Sequence, residues 1–334
     1  MPDGRKDSSM LSNSEPFVRT VLGDISPEEL GHTQCHEHIY LEKGASFACD
    51  PALCIDDFAK SLLELRDYAL AGGGTIVDAQ PGGCGRNASA LAKLSRASGV
   101  HIVAVTGFHR RQFFDWDSGL DDANEERLAE RFYKELTDGM TDHGVRTPCR
   151  AGVVKTALEP GGLQDARYGG LFAAAARAAA GAGAPVMVHT QPDTDLFELI
   201  RFFEPFGVPP QRLLLCHLDR THIDAGYHRE LLQAGCRLCY DSINRPKYLS
   251  QEQEISLIRA AAKAGYAHQI VLSLDTTNRR LRAYGSKEMG LDYILTAFLP
   301  LLRRAGICEE DLELMCRKNA QSILQIHIKS GANK

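Results

Sequence analysis

GVVKTALEPGGLQDARYGGLFAAAARAAAGAGAPVMVHT, residues 152–190, is the stretch that decides the fold class. It begins and ends with short runs of apolar, strand-forming residues, at 152–158 and 185–190. The alanine-rich segment between them is long enough for a helix and ends in glycines, which commonly close helices before a return strand. Because strands that alternate with helices in this way pack in parallel, the stretch predicts a βαβ unit.

The same alternation recurs along most of the chain. Eight strand-like runs are separated by segments long enough for helices, and eight such units over roughly 250 residues predict a (β/α)8 barrel. We expect one barrel domain over residues 17–334, after a polar, mobile tail at 1–16. A doubly wound open sheet is the alternative, but no GxGxxG or GxxxxGKS/T motif follows any run. The predicted strands are 33–41, 75–81, 101–109, 152–158, 185–190, 213–219, 236–242 and 270–277.

Charge and composition exclude several classes of protein. The chain has 334 residues, 44% of them hydrophobic, and a formal net charge of -5, so it has no broad basic field for nucleic acid or an anionic membrane. No run approaches the ~18 apolar residues of a membrane span, and the first residues lack the apolar core of a secretory signal. Without an export signal, the ten cysteines are expected to be free thiols in a reducing cytoplasm. The isolated CxxC pair, Cys236 and Cys239, is expected to be buried and apolar.

A histidine-rich stretch, GHTQCHEHIYL at residues 31–41, forms the first predicted strand. In it, His36 and His38 flank Glu37. Residues two apart on a strand face the same side, so both imidazoles would point toward one interior and provide half of a metal site. The spacing alone is a weak motif that a chance cluster on a surface turn could also produce. The metal hypothesis therefore depends on ligands from elsewhere in the chain.

Polar side chains stand at the C-terminal ends of five predicted strands. In a (β/α)8 barrel these ends meet at one rim, where catalytic groups cluster. Taken singly, a histidine can be a hydrogen-bonded core residue, an aspartate a helix cap, and a lysine can extend to solvent. Taken together they predict one convergent site, because polar groups in buried strands need partners. The candidates are His36, His38, Lys155, His189, His217 and Asp275, with His109 at the end of the third strand as a substrate contact.

The sequence resembles the phosphotriesterase family of the amidohydrolase superfamily over nearly the whole barrel. The matching segments are VRTVLGDISPEELGHTQCHEH at 18–38, GVVK at 152–155, VMVHT at 186–190, CHLDR at 216–220 and LSLDTTNR at 272–279. The resemblance implies a binuclear metal centre, usually of zinc. In that centre His36, His38 and Asp275 would hold the more buried ion, His189 and His217 the more exposed ion, and a carboxylated Lys155 would bridge both.

The chemistry of these side chains agrees with the implied centre. A protonated Lys155 beside two divalent cations would be repelled, whereas a carbamate on its amine offers each metal an anionic oxygen. Imidazole and carboxylate ligands suit zinc, and manganese or cobalt stay open. Two ions that share a hydroxide lower its pKa and polarise a carbonyl or phosphoryl oxygen, and Asp275 would accept the proton. The resemblance thus implies a metal-dependent hydrolase.

Two basic loops indicate the substrate class. DSINRPKYLS at 241–250 carries a lysine, and DTTNRRLRAYG at 275–285 carries three arginines and a tyrosine. They resemble the loops that hold the phosphate in the family's sugar-lactone and phosphorylated sugar-lactone hydrolases, although the spacing of arginine and tyrosine differs. We therefore expect a small anionic lactone as the substrate. The candidate contacts in these loops are Lys247, Arg279, Arg282 and Tyr284.

Other readings stay open at this point. The basic residues could form a solvated face, paired with acids such as Glu252 and Glu254. The same centre could hydrolyse phosphotriesters or N-acyl amides, because fold and family do not choose the substrate. A metal-free barrel could use Lys155 as a Schiff-base nucleophile, as a lyase does. Whether the barrel is a monomer or a homodimer is also open.

Overall fold

A computed structural model describes residues 15–113, 124–287 and 289–326 of the chain. Its strands are β1 Val18–Thr20, β2 Gly23–Ile25, β3 His32–Glu37, β4 Gly73–Asp78, β5 His101–Gly107, β6 Thr141–Asp142, β7 Val145–Arg146, β8 Val153–Ala157, β9 Val186–His189, β10 Leu213–Cys216, β11 Arg237–Tyr240 and β12 Ile270–Leu272. Eight of them form one parallel sheet in the order β12-β11-β10-β9-β8-β5-β4-β3. This architecture confirms the predicted (β/α)8 barrel. Most of the predicted tail, residues 1–14, lies outside the described residues, so the domain boundary stays a prediction.

Helices connect the strands and cover the outside of the barrel. They are α1 Ala45–Cys49, α2 Phe58–Leu70, α3 Ala88–Ser98, α4 Glu125–Thr137, α5 Ala166–Ala182, α6 Leu196–Phe203, α7 Leu218–Thr221, α8 Ala225–Gln233, α9 Gln251–Lys263, α10 Leu299–Arg304, α11 Glu309–Glu313 and α12 Asn319–Leu324. Polar caps begin several of them: the side chains of Asp57, Asn87 and Asp165 accept hydrogen bonds from the first turns of α2, α3 and α5. These caps fix where each helix leaves the loops at the rim.

The unit predicted at 152–190 forms as expected, from β8, α5 and β9. Gly183 ends α5 in the left-handed conformation, with φ of 66°, and the chain returns to pair Lys155 with Met187 in parallel register. The predicted strands run past the observed ones at their C-terminal ends. The last was predicted at 270–277, whereas β12 stops at Leu272, because the chain turns there into the loop that carries the site.

The barrel closes between β3 and the segment that follows β12. The buried Glu37 carboxylate accepts hydrogen bonds from the backbone amides of Leu274, at 2.7 Å, and Thr276, at 3.1 Å. The His36 amide donates to Ser273 Oγ at 3.0 Å. The glutamate between the two histidines of the first strand therefore holds the end of the eighth strand beside the first.

Close backbone contact next to Lys155 depends on one glycine. Gly107, at the end of β5, has φ of 99° and pairs with Lys155 of β8. A Cβ at this position would overlap the Lys155 carbonyl oxygen, so only glycine allows the two strands to approach here. Below this level, apolar side chains fill the barrel; they include Val77, Val103, Val105, Val153, Met187, Leu214 and Val271.

A fully buried arginine joins three elements beside the barrel. Both terminal nitrogens of Arg86 donate to the Glu135 carboxylate of α4, at 2.8 and 2.9 Å. Its Nε donates to Asp142 at 2.9 Å, and Nη1 also donates to the Val105 carbonyl of β5 at 2.8 Å. Because the guanidinium is buried against two carboxylates, its removal would leave both charges without their partner.

We expect Arg86→Leu to lower the free energy of unfolding by about 3–5 kcal/mol, the usual cost of breaking a buried ion pair. Urea denaturation of the variant and the parent protein measures the change. The matched control is Arg303→Leu, which removes an exposed pair with Glu309 and should have a much smaller effect. Equal losses in the two variants would show that the buried network does not stabilise the fold.

The cysteines are free thiols, as predicted from the sequence. The described residues contain ten free cysteines, and both Cys236 and Cys239 are fully buried. Among the described residues, no helix is both long and apolar enough to cross a membrane.

Candidate metal centre

The polar side chains that were predicted to converge lie together at the C-terminal end of the barrel. Three elements supply them directly: His36 is in β3, Lys155 in β8 and His189 ends β9. His217 follows β10, and Asp275 follows β12. Each of the six candidates is more than nine-tenths buried; they are His36, His38, Lys155, His189, His217 and Asp275.

His36, His38 and Asp275 form one group of possible ligands. Asp275 Oδ1 lies 3.3 Å from Nε2 of His38 and 3.7 Å from Nε2 of His36. Each residue offers an atom within 4.8 Å of the atoms of the other two. The Asp275 amide donates to the His36 carbonyl at 3.1 Å, so the barrel closure itself brings this aspartate to the histidines.

His189 and His217 form the neighbouring pair, with Nδ1 of His189 only 2.7 Å from Nε2 of His217. Burial lowers the pKa of His217 to about 3 and that of His189 well below its usual range, so both imidazoles are neutral at pH 7. Lys155 Nζ lies 3.3 Å from Nε2 of His36 and 3.3 Å from the Met187 sulfur. Burial also lowers the pKa of this amine.

Asp241 fixes the orientation of two of these histidines, and the sequence analysis missed it. Its two carboxylate oxygens lie 2.8 Å from Nδ1 of His36 and 2.7 Å from Nδ1 of His217. Although burial opposes ionisation, His217 and His36 lower the pKa of Asp241. An aspartate directly after the seventh strand, in the run CRLCYDS, was the available signal, since the same rule of strand ends selects it.

The donor set fits divalent cations. Asp241 accepts hydrogen bonds from Nδ1 of His36 and of His217, so the Nε2 atom of each ring, once deprotonated, would be available to a metal ion on the side of the other candidates. Orientation of a metal-binding histidine by a carboxylate is the usual arrangement around such centres. Imidazole nitrogens and a carboxylate oxygen at these short separations are donors that divalent cations such as zinc bind.

Two of the candidate ligands have a strained backbone. His217 has φ of 69° and Asp275 has φ of 48°, in the left-handed region that residues with a Cβ rarely adopt. His217 directly follows β10, and Asp275 lies three residues after the end of β12. Strain of this kind concentrates at functional sites.

Two arginines contact the second oxygen of Asp275, and neither was singled out from the sequence. Arg220 Nη1 donates to Asp275 Oδ2 at 2.9 Å, and Arg245 Nη1 lies 3.4 Å from the same oxygen. Although burial opposes it, the two guanidiniums hold the pKa of Asp275 well below its usual range. Both could have been found from the sequence, because each follows a predicted barrel strand: Arg220 is the last residue of CHLDR, and Arg245 is the arginine in DSINRPKYLS.

A cavity of about 770 Å³ opens above the cluster and is rich in basic groups. Its lining includes three of the predicted substrate contacts, namely His109, Lys247 and Arg279, together with Arg280. The Arg280 guanidinium is held by the carbonyls of Asn244 and Ile243, at 3.0 and 2.7 Å. The lining's other basic side chains are Arg110, Arg220 and Arg245.

The other two predicted contacts, Arg282 and Tyr284, do not reach this cavity. After Arg280 the chain forms a second 3-10 turn, Arg282–Tyr284, that packs against α2. Arg282 pairs there with Asp292 at 2.9 Å, and the Tyr284 hydroxyl lies 2.9 Å from Ser61 Oγ of α2. The direction of this turn, which the spacing of residues did not indicate, removes both side chains from the rim.

Replacing Asp241 with asparagine should weaken metal binding by roughly 10- to 100-fold, the usual effect of losing an orienting partner. His36 and His217 contact different oxygens of Asp241, and in asparagine an NH2 group replaces one of them, so one ring would face a donor in place of an acceptor. Competition with a chelator of known affinity measures the change. Asp195→Asn, at an exposed helix cap, is the control. Unaltered affinity in Asp241→Asn would mean that the two rings are oriented by other contacts.

Comparison with known proteins agrees with this geometry. The model of the Phosphotriesterase family matches residues 16–324. A phospho-furanose lactonase from Mycoplasmopsis synoviae is 29% identical over 324 residues, which cover 92% of this chain and 91% of that protein. A lactonase structure from Listeria monocytogenes superposes with a TM-score of 0.84 at 27% identity, covering 92% of this chain and 98% of that one. The phosphotriesterase homology protein from Escherichia coli, complexed with phosphate in its active site, superposes with a TM-score of 0.80 at 26% identity, covering 89% and 99%.

These similarities extend over the whole barrel and are not confined to a few motifs. The family match includes every strand of the parallel sheet, and the described residues include clusters of possible metal ligands at its C-terminal end. The resemblance found in the sequence is therefore confirmed, and the chain is a metal-dependent hydrolase that belongs to the phosphotriesterase family.

Proposed function

We propose that this hydrolase opens a lactone, most readily a sugar lactone or phosphorylated sugar lactone. The observation that carries the proposal is the cavity itself: its floor holds residues that could bind metal ions, and basic side chains surround its mouth. Such a cavity suits a small substrate with a reactive carbonyl at one end and an anion at the other. The lactonase names of two similar proteins support the same substrate class.

The candidate ligands divide between two cations in this proposal. His36, His38 and Asp275 would hold one ion, His189 and His217 would hold the other, and Lys155, if carboxylated on Nζ, would supply an anionic group to the same centre. Zinc suits these donors, with manganese or cobalt as alternatives. When bound, the ions supply an activated water and polarise the substrate carbonyl.

Asp275 and His109 act on the substrate directly. In hydrolysis, the water oxygen bonds to the carbonyl carbon, the ring C–O bond breaks, and a water proton ends on the ring oxygen. Asp275, which lines the cavity, carries this proton. His109 accepts the Arg110 amide at Nδ1, at 2.7 Å, so its hydrogen is on Nε2 and is available to the substrate.

The cationic mouth selects the anionic end. Arg279 is largely exposed and pairs only loosely with Asp50, at 3.7 Å, so a substrate anion can replace that carboxylate. Lys247 Nζ lies over the Tyr248 ring, 4.7 Å from its centroid, on the opposing loop. A substrate phosphate bound between Arg279 and Lys247 would hold the substrate carbonyl above the candidate metal ligands. The phosphate in the active site of the similar Escherichia coli protein supports an anion in this cavity.

The Schiff-base alternative is not favoured. Lys155 is fully buried and is not part of the cavity lining, and its neighbours are those of a metal site. Phosphotriester and N-acyl amide hydrolysis use the same centre and differ only in the substrate. Assays therefore have to separate them.

Lys247→Ala should lower kcat/KM for a phosphorylated lactone by roughly tenfold to a hundredfold, or about 1.5–3 kcal/mol, the range for hydrogen bonds to charged groups. A neutral lactone should be nearly unaffected, because it has no anion to lose. Parallel assays of both substrates provide the measurement. Equal losses would mean that Lys247 supports the loop, and no loss for either would assign the basic residues to a solvated face.

A substrate panel tests the proposed function itself. Purified protein loaded with zinc or manganese would be assayed with neutral lactones, phosphorylated sugar lactones, a phosphotriester and an N-acyl amide, and its metal content measured. We expect two metal equivalents and the highest kcat/KM with a lactone. A phosphotriester or amide as the best substrate would overturn the lactone proposal. Activity without metal, together with covalent trapping of the substrate on Lys155 by borohydride reduction, would favour the Schiff-base mechanism.

A further inference from the structure

The guanidiniums of Arg220 and Arg245 lie beside Asp275 in the cavity. They are neither candidate metal ligands nor part of the proposed anion-binding mouth. The side chains of Arg220 and Arg245 are 10% and 9% exposed, and Asp275 between them is 12% exposed. Both arginines line the cavity. They therefore lie at its floor, while Lys247 and Arg279 stand at its mouth.

The two oxygens of Asp275 face different partners. Oδ1 is directed to the metal-ligand side, 3.3 Å from Nε2 of His38. Oδ2 is directed to the arginines, 2.9 Å from Arg220 Nη1 and 3.4 Å from Arg245 Nη1. A leaving oxygen that takes its proton from Asp275 therefore comes close to these two guanidiniums, which line the same cavity.

Three guanidiniums lie close to one another at this wall of the cavity. Two guanidiniums share one carboxylate oxygen, and Arg245 also donates to the Asp275 backbone carbonyl. A third guanidinium, that of Arg280, is close enough for Arg245 and Arg220 to lower its pKa, in addition to burial. Guanidiniums that line the cavity beside the proposed proton carrier are complementary to negative charge that develops during the reaction.

We propose that Arg220, with Arg245 beside it, stabilises the negative charge that develops on the leaving oxygen when the ester bond breaks. This inference rests on the proposed ester or lactone hydrolysis. The acyl C–O bond breaks with its electron pair on the leaving oxygen, which ends with the proton from Asp275. An arginine side chain does not lose its proton in proteins, so Arg220 acts by its charge and by a hydrogen bond. Asp275 remains the group that carries the proton.

The dependence on the leaving group tests the role of Arg220. Esters of one acid with phenols of increasing pKa, and a lactone with an aliphatic leaving oxygen, would be assayed with the parent protein and Arg220→Ala. A poor leaving group needs the cation most, so we expect kcat/KM to fall by about 10²-fold for the lactone, as for the loss of one oxyanion donor. The fall should be under about threefold for the 4-nitrophenyl ester, whose leaving group needs little help. The variant should retain the metal content of the parent.

Controls separate this role from general damage. Arg282→Ala removes an arginine that pairs with Asp292 and does not line the cavity, and it should leave the leaving-group dependence unaltered. Addition of methylguanidinium to Arg220→Ala should restore part of the lactone activity, with little effect on the nitrophenyl ester. If Arg220→Ala does not fold, Arg220→Lys decides the question, because an ammonium without the planar fork should give a smaller loss that is still selective for poor leaving groups.

Two results would overturn the inference. One is a loss of equal size for all leaving groups in a folded variant, which would make Arg220 a support for Asp275 alone. The other is no loss for any substrate. Failure of the proposed function is distinguishable, because in that case the parent protein itself would hydrolyse neither the lactone nor the esters.

Discussion

Lys155→Ala is expected to lose bound metal and to lower kcat by at least roughly 10³-fold, because an activated water depends on the cations that this residue would help to hold. The amine is fully buried, 3.3 Å from Nε2 of His36, where only an anionic form suits two cations. Adding a short carboxylic acid should restore part of both metal content and activity, since its carboxylate can occupy the vacated space. Elemental analysis and initial rates measure the two effects.

The matched control for this variant is Lys247→Ala, which removes the lysine at the mouth of the cavity and should retain the full metal content. A Lys155→Ala protein with two metal equivalents and parental activity would contradict the binuclear centre. Loss of activity with no effect of added carboxylic acids, in a protein that still binds metal, would contradict the carbamate. Mass spectrometry of the intact protein at low and high bicarbonate provides a direct check of carboxylation.

Asp275→Asn is expected to lower kcat by roughly 10²- to 10⁴-fold, the usual effect of removing a general acid or base. The amide has nearly the same shape as the carboxylate but cannot carry the proton from water to the leaving oxygen. We expect the variant to keep most of its metal, because the histidine ligands are unaltered. Parallel measurement of kcat and metal content separates loss of the base from loss of the centre.

Asp50→Asn provides a comparison for the Asp275 variant. Asp50 also lines the cavity, but it is half exposed and pairs with Arg279 at the mouth. Its replacement should leave kcat within about a factor of two, as for a surface pair outside the reaction. An Asp275→Asn protein that turns over as fast as the Asp50→Asn protein would remove Asp275 from the mechanism.

The strand-end rule explains how much of the site could be predicted. Residues such as His189 and Lys155 are polar and stand in short apolar runs, and parallel topology brings all such ends to one rim. For this reason the positions of the candidate ligands followed from local sequence patterns, without knowledge of any contact. The rule also selects Asp241, which the sequence analysis passed over because the run CRLCYDS was read for its thiols.

The loops beyond the strands could not be predicted in the same way. Arg279 and Arg282 are three residues apart in one basic segment, yet the first lines the cavity and the second pairs with Asp292 against the outside of the barrel. The direction of each depends on the two consecutive 3-10 turns and on their packing against α2. Sequence spacing has no fixed relation to direction in such irregular segments, unlike in strands and helices.

The sequence by itself determined the barrel, its family and the residue types at the strand ends, because alternation of strands and helices and their parallel pairing are local and periodic properties. Only the tertiary structure decided which atoms face one another across the barrel. Asp241 joins two histidines from strands far apart in the chain, and Asp275 divides its oxygens between His38 and Arg220. These contacts depend on barrel closure and on strained turns such as that of His217, which bring distant residues to within a few ångströms and which no local pattern encodes.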